Sequence, residues 1–95
     1  MTTYLVGYDL NREGSNYSEK NKALIELIKD EANGYWHHLD SSWIINSSKT
    51  ATLLRDRFKT VLDDDDELLV IKVSAPAAWH GFNKSGSDWL VKHIE

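Results

Sequence analysis

The chain has 95 residues, 15 of them acidic and 11 basic, a net charge of −4, and no cysteine. That length holds one domain, 1–95, with a single two-layer core. The missing thiols exclude disulfides, thiolate metal sites and cysteine nucleophiles, and the acidity argues against general affinity for a nucleic-acid backbone.

Hydrophobic residues make up 41% of the chain and four are Trp, the composition of a folded globule rather than a disordered tail. No apolar run is long enough to span a bilayer, and the N-terminus lacks the order of a signal peptide, so a soluble cytoplasmic protein is expected.

The opening stretch Thr3-Tyr-Leu-Val-Gly-Tyr-Asp-Leu-Asn11 alternates at period two, with Tyr4, Val6 and Tyr8 on one face and Leu5, Gly7 and Asp9 on the other. That pattern predicts a central strand. The strand delivers Asp9 at its end, just before the polar, turn-forming Asn11-Arg-Glu-Gly-Ser-Asn16, where solvent or a ligand begins. Taken alone, an acid there more often only hydrogen-bonds the loop behind it.

Asn16-Tyr-Ser-Glu19 has the form of a capping box and predicts a helix start. Leu24, Leu27 and Ile28 recur at helical spacing with Ile25 and Ala32, and Lys20, Lys22, Glu26 and Lys29 fall on the polar side. Asn33-Gly34 is expected to end the helix through a left-handed glycine. Tyr35-Trp-His-His-Leu-Asp40 and Ser42-Trp-Ile-Ile-Asn46 then read as an antiparallel hairpin turning at Asp40-Ser41.

Ser47 or Ser48 is expected to cap a second helix running to about Leu62, with Ala51, Leu54, Phe58 and Val61 as its buried stripe. Lys49, Arg55, Arg57 and Lys59 are the candidates for a local basic strip. Asp63-Asp-Asp-Asp66 reads as a solvated connection; it lacks the alternating ligands and the glycine of a calcium loop. Leu68-Leu-Val-Ile71 is apolar enough to predict a last strand covered on both faces. In the tail, Trp79-His-Gly-Phe82 is followed by Ser85-Gly-Ser-Asp88, expected to cap a short helix carrying Trp89, Leu90 and Ile94.

Strand, helix, strand, strand, helix, strand is the α+β, ferredoxin-like βαββαβ order: a four-stranded antiparallel sheet with two helices on one face, here with a short C-terminal helix added. The other face of the sheet is left for the tail, a second copy or a flat ligand to cover.

Few residues offer chemistry. His37 and His38 are neighbours on a strand, so they point to opposite faces and do not share a metal. His38 shares a face with Trp36 and Asp40, and an Asp-held imidazole is a candidate general base, although a strand histidine satisfied by its neighbours is commoner. His80 joins the site only if the tail folds over the first strand. The aromatics lack the consensus of an RNA-recognition motif, and there is neither a glycine-rich phosphate loop nor a Gly-x-Ser-x-Gly elbow.

A first strand ending in Tyr8-Asp9 at the start of a small ferredoxin-like chain resembles the CRISPR-associated adaptation protein called Cas two and, more loosely, the VapD-type toxin ribonucleases. Tyr4-Leu-Val-Gly-Tyr-Asp-Leu-Asn11, Trp36-His-His-Leu-Asp-Ser-Ser-Trp43, Asp66-Glu-Leu-Leu-Val-Ile-Lys72 and Ser87-Asp-Trp-Leu90 look closer still to small bacterial and phage proteins often labelled SinR-like. The Cas-two resemblance implies a homodimer in which the first-strand acid lies near its symmetry mate, binds a divalent metal and positions water against a phosphodiester. Carried over, this implicates Asp9 as metal ligand, with Tyr8 and Asn11 as supporting neighbours. Magnesium is the cofactor such carboxylates favour, and RNA or DNA the substrate. The rival expectation is a non-catalytic module whose acidic surface engages a protein partner in a phage or defence context.

Overall fold

A computed structural model describes residues 1–11 and 16–94. The turn expected over 12–15 lies outside them. The elements run β1 (Thr2–Asp9), α1 (Tyr17–Glu31), β2 (Gly34–Leu39), β3 (Ser42–Ser47), α2 (Ala51–Phe58) with a 3-10 turn at Lys59–Val61, β4 (Glu67–Lys72) and α3 (Lys84–His93). The strands form one antiparallel sheet in the order β2-β3-β1-β4, so β1 is internal, as its alternation predicts. Four antiparallel strands with three helices make a small α+β structure compatible with the ferredoxin-like expectation.

Alternation along the strands builds the core. Tyr4, Val6, Trp43 and Ile45 turn to one side and pack with Leu24 and Ile28 of α1 and Leu54 and Phe58 of α2. Val6, Leu24, Ile28, Ile45, Leu54 and Phe58 have no accessible surface, and each such burial stabilises by about 1.5–3 kcal/mol. The opposite side of the sheet is partly covered by the chain's own tail. Leu5, Trp36 and Ile44 line a cleft with Trp79, Phe82 and Leu90, and the Trp36 indole N–H donates to the Gly86 carbonyl at 3.1 Å.

Several local expectations are corrected. Asn16 precedes α1, but its φ of −101° and ψ of 12° are not the extended backbone a capping side chain needs, and it makes no side-chain cap bond. The helix ends on Ala32, whose extended backbone leads straight into β2. Gly34 does not adopt a left-handed conformation. What a side chain there would meet is the Asn46 Oδ1, 3.2 Å from the position of a Cβ.

α2 is capped by Thr50, whose hydroxyl accepts the Leu53 N–H at 3.2 Å, because Ser47 is still paired in β3 and its hydroxyl accepts the Lys49 N–H. α3 starts earlier than expected, with the Asn83 side chain accepting the Gly86 N–H at 2.8 Å. β4 is covered on one face only: Leu68 and Val70 pack on the core, while Leu69 and Ile71 remain 54% and 46% exposed. Its apolar run reflects an edge strand with an open face, not a strand buried twice.

Lys20, expected on the polar side of α1, is buried. Its ammonium reaches Asp63 at 2.9 Å and Asp66 at 2.8 Å, and the Asp66 side chain has no accessible surface. The acidic run is therefore only partly a solvated connection; Asp66 is folded inward as the anchor of its own loop.

Candidate functional site

The hydrogen-bond pattern of β1 fixes where its terminal acid lies. Asp9 is the last residue of the strand and stands across from Glu67, the first residue of β4. Directly opposed residues of an antiparallel pair share a face, with side chains close enough to act on one ligand. This end of the sheet forms an open groove of about 450 Å³ lined by Leu5, Gly7, Tyr8, Asp9, Ser42, Glu67, Leu68 and Leu69. Gly7 leaves its floor bare, since nothing lies within 4 Å of where a Cβ would stand. The result is a shallow, partly apolar surface with two carboxylates at one end.

Loops behind the site are tied together by Asp66. Its Oδ1 accepts the backbone N–H of Asn11 at 2.8 Å, its Oδ2 accepts the Asp63 N–H at 2.8 Å, and Lys20 caps both oxygens. The Asn11 side-chain amide also donates to Asp65 at 2.9 Å. Asp66 thus clamps the exit of β1 to the entrance of β4, the two places that carry Asp9 and Glu67. Burial pushes the Asp66 carboxyl up, but the hydrogen bonds from Lys20, Asn11 and Asp63 outweigh it and hold the group below its usual range.

The residues expected to support Asp9 are not all beside it. Tyr8 points to the helix side, where its hydroxyl accepts the Trp43 indole N–H at 3.1 Å. Burial is the main cause holding its phenol proton more tightly than usual, so Tyr8 is not a base at neutral pH. Asn11 acts through the Asp66 clamp. His38 lies on β2, with β3 between it and β1. Its ring packs on Trp36 and Phe82 and sits where a Gly86 Cβ would be, 2.9 Å from Nε2.

The hydrogen bond to residue 40 is made by His37 instead, Nε2 to the Asp40 carbonyl at 3.1 Å, with the His37 ring stacked on Trp43 at 3.8 Å between centroids. The two imidazoles do part to opposite faces. A register shift between Trp36 and Leu39 places them in a bulge. His80 lines the cleft beneath the tail with Trp79 and with Leu5, which also borders the Asp9 groove, but it is not among the residues lining that groove.

Glu67 was legible only as a residue before a strand; its place opposite Asp9 needs the pairing register. Among the described residues no group of three or more His, Cys, Asp or Glu is placed to hold a metal ion. Asp9 and Glu67 are oxygen donors of the type a hydrated magnesium ion takes one or two of.

The basic strip is largely neutralised. Lys49 and Arg57 both pair with Glu31, and Arg55 pairs with Asp56 at 2.9 Å. The hydrogen bond from Lys49 is the main cause holding the Glu31 carboxyl below its usual range.

No protein-family model matches the sequence, and no curated protein matches it. Among solved structures, the chain is similar to the crystal structure of a hypothetical protein, TT1823, from Thermus thermophilus, at 20% identity and a TM-score of 0.63, over 85% of this chain and 92% of that one. The likeness is one of fold.

Proposed function

We propose that this chain is a ferredoxin-like, homodimeric protein of the Cas-two kind that cleaves RNA or DNA phosphodiesters with the help of magnesium. The observation that carries the reading is the position of Asp9, at the solvent end of the internal strand and opposite Glu67 on the uncovered part of the sheet. Asp9 and Glu67 are the residues that would hold the ion. Bound there, it would supply positive charge against the attacked phosphate and acidify a water for attack.

The chain's own contribution is placement. Gly7 lets a flat substrate approach the sheet, Leu5 and Leu69 exclude water beside it, and Asp66 fixes the two loops that set the spacing of the carboxylates. Asn11 serves this clamp, Tyr8 braces β1 against Trp43, and His38 takes no part.

Incubation of the protein with labelled RNA and DNA tests the reading. Cleavage should appear with millimolar magnesium and vanish when the ion is chelated; cleavage unaffected by chelation would contradict it.

A second reading is favoured by the pairing of Lys49, Arg55 and Arg57 with carboxylates, which removes the usual grip on a phosphate backbone. In that reading the protein is a non-catalytic module that binds a protein partner. Absence of cleavage under all metal conditions, with a protein and no nucleic acid recovered by affinity capture, selects it.

A further inference from the structure

The sheet face that carries Asp9 at one end of β1 holds a separate pocket at the other end. Thr3 lies on that face, opposite Asn46 of β3, and Asn46 lies opposite Gly34 of β2. The last turn of α3 is tied onto this row, since the Thr3 hydroxyl donates to the His93 carbonyl at 3.1 Å. Between helix and sheet is a pocket of about 460 Å³, lined by Met1, Thr3, Asn33, Gly34, Asn46, Lys92 and His93. Clefts of roughly 300–1,000 Å³ are the size that takes a small molecule.

On the sheet side, Asn46 supplies a fixed acceptor. The Thr3 hydroxyl has one hydrogen and spends it on the His93 carbonyl, so its oxygen accepts from the Asn46 side chain, 3.0 Å away. The amide NH2 of Asn46 therefore faces Thr3, and its Oδ1 is turned over Gly34, 3.2 Å from where a Cβ would stand. Asn46 is only 8% exposed, yet this Oδ1 has no hydrogen-bond partner. Among the described residues every fully enclosed side-chain N or O is paired, so the unpaired oxygen opens onto the pocket. A side chain at position 34 would crowd it; glycine leaves it clear.

On the helix side the pocket is cationic. None of its lining residues is acidic, in a chain with 15 acidic and 11 basic residues. Lys20, Lys49, Arg55, Arg57 and Lys84 each meet a carboxylate, whereas Lys92 meets none among the described residues. The Leu90 and His93 carbonyls of the same turn are taken by the Ile94 N–H and the Thr3 hydroxyl, which reduces the negative charge the helix end turns on a ligand.

We propose that this pocket binds a nucleoside monophosphate whose base carries an amino group. The amino group donates to Asn46 Oδ1, the flat ring rests on the bare backbone of Gly34, and the phosphate meets Lys92. An inorganic anion would leave Oδ1 unpaired and most of the pocket empty, and an uncharged base would leave Lys92 unused. The site is separate from the Asp9 groove and does not require that the chain cleave anything.

Equilibrium dialysis of the full chain with labelled nucleotides, without magnesium, tests the proposal. Adenosine 5′-monophosphate should bind saturably. Purine riboside 5′-monophosphate, which lacks only the amino group, and adenosine, which lacks the phosphate, should each bind about tenfold more weakly. Lys92→Glu, at an exposed position, should weaken the monophosphate by about tenfold or more and leave adenosine unchanged. Asn46→Ala should abolish the preference for the amino group. Gly34→Ala, which sets a methyl group against Oδ1, should do the same if the Asn46 variant does not fold. Asp9→Asn should bind as the parent does, which separates this site from the hydrolytic reading.

No saturable binding of adenosine 5′-monophosphate up to about 5 mM would overturn the proposal. So would equal affinity for the nucleotide with and without its amino group, binding untouched by Lys92→Glu, or inorganic phosphate competing as well as the nucleotide, the mark of an adventitious ion only.

Discussion

Replacing Trp43 with Ala lowers the unfolding free energy by about 3–5 kcal/mol, the cost of removing a large buried side chain that its surroundings do not refill. Trp43 is 1% exposed and lies on β3 beside β1, where its ring stacks on His37 and its indole N–H bonds the Tyr8 hydroxyl. The substitution therefore leaves a cavity and takes away a hydrogen bond of Tyr8. A domain of this size has only about 5–15 kcal/mol to lose, so the variant should unfold at much lower denaturant. Trp43→Phe keeps most of the volume and loses the indole N–H, and should cost about 1–2 kcal/mol. Chemical denaturation of both variants checks the order; a Trp43→Ala protein as stable as the parent would contradict this account of the core.

Asp66→Ala is the second large effect, expected to lower the thermal midpoint by roughly 10–20 °C for a chain of this length. Lys20 would keep only Asp63, which is more than half exposed, and the Asn11 and Asp63 N–H groups would lose their acceptor. The pH dependence carries a sign that can be checked. The Asp66 carboxyl is held below its usual range in the folded chain, so its contribution is full above the ordinary aspartate pKa and is lost as pH falls from about 4 downward through the folded value. Asp66→Asn should accordingly flatten the stability profile below pH 4 while leaving its slope at neutral pH unchanged. Since Asp66 clamps the loops carrying Asp9 and Glu67, both variants should also impair whatever the Asp9 groove does.

Legibility of the fold followed the reach of each signal. β1, the hairpin of β2 and β3, and the stripe of Leu24 and Ile28 announce themselves through local periodicity, and they stand as expected. Capping was harder, because Ser47, Ser48 and Thr50 all carry a hydroxyl able to cap α2 and the choice depends on how far β3 stays paired with β1. Lys20 and Asp66 are separated by 46 positions; nothing local distinguishes their charges from solvated ones, so the clamp stayed hidden.

For the candidate site, Asp9 was legible as an acid at the end of a strand. Glu67 was not, since only the register of β1 with β4 brings it opposite. His38 showed the converse: its neighbours in sequence promised a general base, and the tail, through Phe82 and Gly86, gave its ring a packing role instead.

The most direct test of the account is the rate of magnesium-dependent phosphodiester cleavage by an Asp9→Asn protein beside the parent, each first shown to have the same thermal midpoint. Asp9 is exposed, so the substitution should not disturb folding, and loss of a carboxylate that holds the catalytic ion should reduce the rate by about 100-fold or more. An Asp9→Asn protein that folds like the parent and cleaves at the parent's rate would contradict it.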